Sequence, residues 1–416
     1  MDGVALVTGA SSDEKAYCLL EIPPELEAHL VPGSEAPPLT FNGRLVDEAT
    51  LSTAERTYAV RQVTQSNSLL LCGVEPRDSG VQLRMLRNET STIELVPTAA
   101  RLDRLAALLD ESAYAGEDHA AFGRRYTPHE LRSIVQASEG ELAEGLRMHH
   151  VLLLDGTSPT NPGHMRRVAP GFLYELLRVL LNQLDLLACE PDEVPYAPTL
   201  EALQMAARPE VAEKVLCDWF CAPPRPQGVP THVALATPDI ARFIGIHILR
   251  EAKRMPLLAF VAEWKRALAS LAAEAHLALL HGFYLLDPPP ASFAAANTHT
   301  AAPADPAPDT LATAITIQYF PHTSLPLAPA QRFQDLFLLR TQWVREELVP
   351  FLDDLTRTGS KASSLESLLV KHARSSRARW TRVHAAVLLR GEIGEHGTPR
   401  ARGVEECVLY QARVKY

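Results

Sequence analysis

What the 416-residue chain lacks narrows its role before any motif is considered. No apolar run is long enough to span a bilayer, and the nearest candidate, residues 173–187, is interrupted by Glu175, Arg178, Asn182 and Asp185. No basic region precedes the short apolar stretch at the N-terminus, so the protein is expected to be soluble and intracellular. Its six cysteines have no regular spacing, which fits reduced thiols better than a disulfide framework. No phosphate-binding loop and no nucleophile elbow are present, which excludes the usual apparatus of nucleotide and serine hydrolases. An overall basic excess is missing too: the net charge of −10 argues against general affinity for nucleic acid, although the last sixty residues reverse the sign locally.

Three segments imitate catalytic motifs and fail on their spacing. Residues 4–12, VALVTGASS, resemble the first strand and phosphate turn of short-chain dehydrogenases. Asp13 and Lys15 stand where that turn needs glycine, so the backbone could not approach a pyrophosphate, and no tyrosine has a lysine four residues on. His129-Glu130 has Ser133 in place of the second histidine of a zinc-protease helix, and a single ligand holds no metal. Cys217 and Cys221 are one helical turn apart and could join His232, but no second pair follows and Trp219 and Phe220 lie between them; core thiols are the better reading. No catalytic residue, metal or cofactor is therefore expected, and the chain is not expected to be an enzyme.

What is present reads as an α+β multidomain protein. With 46% hydrophobic residues, the chain can bury several cores. Residues 17–22, 56–63 and 69–72 are β-compatible runs broken by Pro32-Gly33, Pro37-Pro38 and Asn42-Gly43, and predict a small N-terminal β-barrel over 1–98. Strands this short leave unpaired edges, so the sheet must close on itself or be completed by another chain. Leu102, Leu105, Ala106, Leu108 and Leu109 then predict an amphipathic linker helix within 99–125.

The segment YTPHELRSIVQASEGELAEGL, residues 126–146, predicts two helices joined at a capped turn. Thr127 and Pro128 suit a helix start, and Leu131, Ile134 and Val135 follow at helical spacing. Ser138 and Glu141 have capping-box spacing ahead of Leu142 and Leu146. A strand at 151–154 before Asp155-Gly156 would enter a wing, so the order is that of a winged helix, with an ordinary helical hairpin as the alternative. Proline punctuation divides the remainder into winged helices at 126–190, 195–255 and 256–416, the last with insertions at 288–308 and about 377–403. A strand is expected at 314–320, and Phe333, Leu336, Phe337, Leu339, Trp343, Leu348, Phe351 and Leu352 read as core.

Four segments carry a resemblance: YCLLEI at 17–22, TYAVRQVTQSNSLLL at 57–71, YTPHELRSIVQASEGEL at 126–142 and QRFQDLFLLRTQWVREELVPFLDDL at 331–355. Shorter matches, SLLVKHARSS at 367–376 and VLYQAR at 408–413, follow in order. Together they resemble the Dcc family of sister-chromatid cohesion proteins, a non-ATPase subunit of an alternative replication factor C clamp loader. The resemblance implies that the N-terminal β region builds a shared barrel with the small chromosome-transmission-fidelity subunit and the C-terminal tail of the large ATPase subunit. Tyr17, Leu19, Leu20, Tyr58, Leu69, Leu70 and Leu71 are the residues expected to bind those partners. It also implies tandem winged helices that dock the catalytic subunit of DNA polymerase epsilon, support for PCNA loading, and a place in the nucleus. The acidic helix pair is unsuited to phosphates, so Glu130, Glu139 and Glu141 are assigned to polymerase contact.

Basic charge gathers near the C-terminus. Lys371, Arg374, Arg377, Arg379, Arg382 and Arg413 are expected to meet the phosphates of single- and double-stranded DNA without reading sequence. Trp380 is placed among them as a stacking residue, with His372 and His384 interleaved. A free-standing winged-helix transcription regulator and a scaffold of a proteasome-lid-like assembly are the alternatives, separable by the partners that co-purify.

Overall fold

The computed structural model describes residues 5–8, 18–31, 37–77, 80–98, 100–117, 119, 122–156, 163–222, 230–296, 308–326, 328–356, 365–390 and 404–413. Mixed α and β elements form two compact units, one of Met1–Leu102 with His129–Gly145, the other of Asp103–Pro128 with Leu146–Tyr416.

The first unit is built on six strands: β1 (Ala5–Thr8), β2 (Leu20–Glu21), β3 (Thr40–Asn42), β4 (Thr50–Ser52), β5 (Thr57–Arg77) and β6 (Gly80–Thr98). Their order is β1-β6-β5-β4-β3, with β2 also on β6. Among the described residues no strand joins β1 to β3, so the sheet is open and the expected closed barrel is not formed. Only β5 and β6 are long; β2, β3 and β4 have two or three residues each, too few to curl round and close. A small core of Leu26, Leu51, Tyr58 and Leu95, backed by Leu20, Ile22, Leu39 and Val60, occupies the base of the β5–β6 hairpin.

The helix pair predicted from sequence is present as Pro128–Val135 and Glu139–Met148. Its capping box forms as spaced: the Glu141 N–H donates to Ser138 Oγ at 3.2 Å, and the Ser138 N–H donates to Glu141 Oε2 at 3.1 Å. Thr57 of β5 joins the cap, its hydroxyl donating to Glu141 Oε2 at 2.6 Å and accepting from the Ser138 N–H at 2.9 Å. Gln136, at φ 52°, donates through Nε2 to the Glu48 carbonyl at 2.9 Å. Residues 129–145 are thus tied to the sheet as part of the same unit.

In the second unit, the helix Pro170–Leu187 starts with proline at its first turn and ends at Ala188 in the left-handed region, φ 47°. Leu173, Leu176, Leu177, Leu180, Leu181 and Leu184 all turn inward at helical spacing. They share one core with the helices Thr237–Ala252 and Leu257–Leu268. Cys217 and Cys221 are buried within it and form no disulfide.

A four-stranded sheet, ordered Ala295–Ala296, Ala373–Thr381, Val404–Ala412, Gln342–Val344, carries a core on each side. Ala378, Trp380, Cys407, Leu409 and Val344 face the larger one; Ala373, Tyr410 and Trp343 face a second core with Phe333, Leu336, Leu348 and Phe351. Of the core residues expected from 333 to 352, Leu339 alone is exposed, at 47%. The expected strand at 314–320 is Thr316–Tyr319.

Two segments expected as insertions are partly folded. Residues 290–293 form a short 3-10 turn with Pro290 and Ala291 buried, and Ala295–Ala296 pairs with Arg379 and Ala378. Residues 377–381 complete a nine-residue strand matched along its length to Val404–Ala412. Proline and arginine content suggested solvated loops, but Pro290 and Ala291 are buried in the first segment and Ala378 and Trp380 in the second. Residues 297–307 and 391–403 lie outside the described residues.

Glu347 is an ionisable group inside this unit. It is 7% exposed, pairs through one oxygen with Arg340, and leaves Oε2 without a hydrogen bond. Arg340 also donates to the Leu286 carbonyl and stacks on Trp343. Burial pushes the Glu347 carboxyl up to about 7, against the opposing pull of Arg340. A carboxyl raised on folding stabilises the fold below its unfolded value near 4.5 and loses that contribution as pH rises to about 7. Glu347→Gln is therefore expected to flatten the fall in stability across that window and to raise the melting temperature at pH 8. His150, held down at about 3 by burial among aromatic rings, contributes a slope of opposite sign below its ordinary value of 6.5 in both proteins. Thermal melts of the pair from pH 5 to 8 isolate the Glu347 effect.

Candidate interaction surfaces

Beyond its small core the β5–β6 hairpin continues as a ribbon with two unlike faces. Directly opposite residues of an antiparallel pair share a face. The register matches Leu70 with Asn88, Cys72 with Met85 and Val74 with Leu83, so one face carries an almost continuous apolar stripe. Leu70 is 46% exposed and Val74 67%. The other face sets Leu69 and Leu71 opposite Glu89 and Arg87, which form an ion pair. A register shift between Leu71 and Cys72 keeps the stripe on one side through an extra residue of β6.

The ribbon's edge is also open. β4 pairs with β5 only from Thr57 to Ala59, the Val60 N–H donates to the Ala49 carbonyl at 3.0 Å, and from Arg61 onward no described strand lies on that side. A long edge with outward backbone groups beside an apolar face is an unfinished sheet, suited to receiving a strand.

The residues expected to bind partners separate accordingly. Leu69, Leu70 and Leu71 lie on the ribbon. Tyr58, 1% exposed, belongs to the unit's own core, and Leu20 packs against it; alternation along β5 turns position 58 inward where the sheet is covered. Leu19 is half-buried beside β2, and Tyr17 lies outside the described residues. Val74, Leu83 and Met85 were missed, although strand alternation from Leu70 through Val74 pointed to the first of them.

Of the acidic trio, Glu139 is exposed and within 3.4 Å of Arg132, and Glu130 is half-buried. Glu141 serves inside the unit, where both its capping bond and Thr57 occupy it.

The basic residues do not form one surface. Alternation along Ala373–Thr381 puts Arg377 and Arg379 on one face and Arg374, opposite Gln411, on the other. Lys371 is exposed on the helix Leu365–His372. Arg382 approaches Glu405 at 3.9 Å, Arg379 is in register with Glu406, and Arg413 donates to the Val370 carbonyl. Trp380 is 2% exposed and His384 6%, so neither is available to stack on a base, and His372 stacks on Phe333. The cause is the strand's alternation: Ala378 and Trp380, between the exposed arginines, face the core.

A cavity of about 590 Å³ in the second unit is lined by Gly116, Glu117, Phe172, Met205 and Arg208 among others. The Arg208 guanidinium is taken up by Glu117 and by Asp155 at 2.7 Å, which holds both carboxyls below their ordinary range. Among the described residues no cluster of metal-ligating side chains is found, and no helix is long and apolar enough to cross a membrane.

Comparison with known proteins gives one consistent answer. The profile of the sister chromatid cohesion protein Dcc1 family matches residues 17–352. The chain is 25% identical to the sister chromatid cohesion protein DCC1 of Danio rerio over 384 residues, covering 88% of each chain. It is 24% identical to the Mus musculus protein of the same name, over 88% of this chain and 86% of that one, and 23% identical to the Homo sapiens protein over 91% and 89%.

Proposed function

Because the chain belongs to the Dcc1 family of sister chromatid cohesion proteins, we propose that it is a non-catalytic subunit of an alternative replication factor C clamp loader, working in the nucleus. In this role it links the loader to DNA polymerase epsilon and to DNA, supporting PCNA loading, replication and cohesion. The observation that carries the reading is the unfinished β5–β6 ribbon. Its open edge and its apolar stripe of Leu70, Val74, Leu83 and Met85 call for strands from elsewhere. Strands of the small chromosome-transmission-fidelity subunit and of the large ATPase subunit's tail would add there and close a shared barrel.

On their order along the chain, the helix–strand groups from residue 126 onward are read as tandem winged helices. Glu130 and Glu139 are the acidic residues assigned to polymerase contact. DNA contact is assigned to Arg377 and Arg379, with Lys371 and Arg374 on separate surfaces; Glu405 and Glu406 moderate the charge there, so binding by the chain alone is weak.

Mass spectrometry of proteins retained by the tagged chain from nuclear extract tests the assignment. Clamp-loader ATPases and the small subunit should be recovered. Recovery of helical-repeat scaffold subunits instead, or tight binding of one duplex sequence by the chain alone, would replace this reading with a lid scaffold or a transcription regulator.

The DNA surface has its own test. Arg377→Glu with Arg379→Glu should weaken binding to single- and double-stranded DNA alike and make the slope of log affinity against log salt shallower by roughly 1.5, at 0.7–0.9 per phosphate contact. Arg374→Glu should change that slope by no more than about half as much. Anisotropy titrations of the assembled complex at several salt concentrations check this; an unchanged slope in the double variant places DNA contact elsewhere.

A further inference from the structure

The loop 43–49, between β3 and β4 in the first unit, turns two adjacent apolar side chains into solvent. Leu45 is 108% exposed and Val46 85%, which keeps both out of the unit's core. They occupy the two central positions of a tight turn, closed by the Asp47 N–H on the Arg44 carbonyl at 3.0 Å. Such positions most often hold glycine, proline, asparagine, aspartate or serine. Neither turn chemistry nor packing calls for leucine and valine here.

Polar groups hold the loop in shape. Asp47, whose carboxylate is nearly buried, accepts from Arg44 at 2.7 Å and from Arg101 at 3.1 Å. The buried Gln136 spans the loop's base, its Nε2 donating to the Glu48 carbonyl at 2.9 Å and reaching the Asn42 carbonyl at 3.4 Å. The two ends lie close together: a Cβ on Gly43 would stand 3.3 Å from Ala49 Cα. A single exposed leucine on a protein surface is ordinary. Two neighbouring apolar residues at the apex of a loop pinned at both tip and base form a preformed knob, which loses little freedom on entering a pocket.

The knob stands where the open edge of β5 begins. β4 runs antiparallel to β5 with Thr50 opposite Ala59, and the Ala49 carbonyl takes the Val60 N–H at 3.0 Å. Bond direction alternates along a strand, so the next amides of β5 on that side are those of Gln62 and Thr64. At about 3.3 Å per residue, a strand added there starts roughly 7 Å beyond Ala49, in line with β4. Its near end therefore arrives at the loop 43–49.

We propose that Leu45 and Val46 plug an apolar socket on the same partner subunit whose strand adds along β5 from Gln62. The proposal rests on the reading of the ribbon as an edge completed by partners, and gives that interface a second anchor. A socket needs walls, so the occupant is a folded subunit and not a bare extended tail. Strand addition through backbone groups accepts many sequences. An apolar plug at the strand's end fixes the register and selects the subunit that carries the socket.

Photo-crosslinking separates the plug from the strand. The apolar photoreactive residue benzoylphenylalanine replaces Val46 in one tagged full-length chain and Thr64 in another, each is irradiated with its partners bound in nuclear extract, and the adducts are identified by mass spectrometry. Both positions should label one and the same polypeptide. A second arm uses Leu45→Ser with Val46→Ser, which leaves the melting temperature unchanged because neither side chain is in the core. Burying one leucine or valine corresponds to about tenfold or more in affinity. Challenged with excess untagged parent chain, the double variant should therefore release that subunit at least tenfold faster than the tagged parent does. Labelling from position 64 without labelling from 46, labelling of different polypeptides, or parental release by the double variant overturns the plug and leaves the ribbon reading standing. Absence of any partner labelling from position 64 overturns both.

Discussion

Leu70→Asp combined with Val74→Asp is expected to abolish assembly with partner chains while leaving the first unit folded. Both side chains stand on the uncovered face of the ribbon, at 46% and 67% exposure, so aspartate remains solvated in the chain alone. Once a partner strand covers that face, each substitution forfeits about 1.5–3 kcal/mol of apolar burial and adds a desolvated carboxylate. The sum corresponds to a loss of about a thousandfold or more in affinity. Co-purification with partner subunits and circular dichroism of the variant together check the claim. Full recovery of partners would show that the stripe is bare in the assembly; loss of folded signal would place these residues in the unit's own core. Leu20→Asp, in contrast, should damage the unit itself, because Leu20 packs against Tyr58 and its neighbours.

Arg332→Met is expected to cost the second unit about 3–5 kcal/mol, as breaking a buried charged network commonly does. Arg332 is 0% exposed, yet its guanidinium donates to the carbonyls of Pro326 at 2.7 Å, Phe351 at 2.9 Å and Leu325 at 3.4 Å, and to Asp354. It fastens two loop segments to the helix Pro329–Leu339. Methionine fills much of the volume and leaves those acceptors unsatisfied. Lysine keeps the charge but lacks the planar fork, so Arg332→Lys should recover little. A fall in melting temperature of about 5–8 °C is expected. A shift within about 2 °C would mean that water replaces the guanidinium at little cost.

The parts of the fold legible in the sequence are those fixed by local spacing. Ser138 and Glu141 three residues apart specify a helix start, and that cap is present; what sequence could not supply was Thr57, 81 residues earlier than Ser138, completing it. The long ribbon was hidden because Thr64–Ser68 reads as a polar loop and register shifts after Thr64 and Leu71 break the alternation on which strand recognition depends. Trp380 was misplaced for a related reason. Between Arg377, Arg379 and Arg382 it looks like a basic patch's aromatic, but pairing with Val404–Ala412, more than twenty residues later, makes the segment a strand and turns Trp380 inward. Family membership, carried by the order of several segments along the chain, was legible where individual contacts were not.

The central claim is that partner strands complete the β5–β6 ribbon, and amide hydrogen exchange along β5 tests it most directly. Compared between the chain alone and the complex recovered from nuclear extract, the outward-facing amides from Arg61 to Val74 should exchange at least a hundredfold more slowly in the complex, while those of the helix Thr237–Ala252 change little. Equal exchange of the outward-facing amides from Arg61 to Val74 in the two states, with the partners demonstrably bound, would contradict the account.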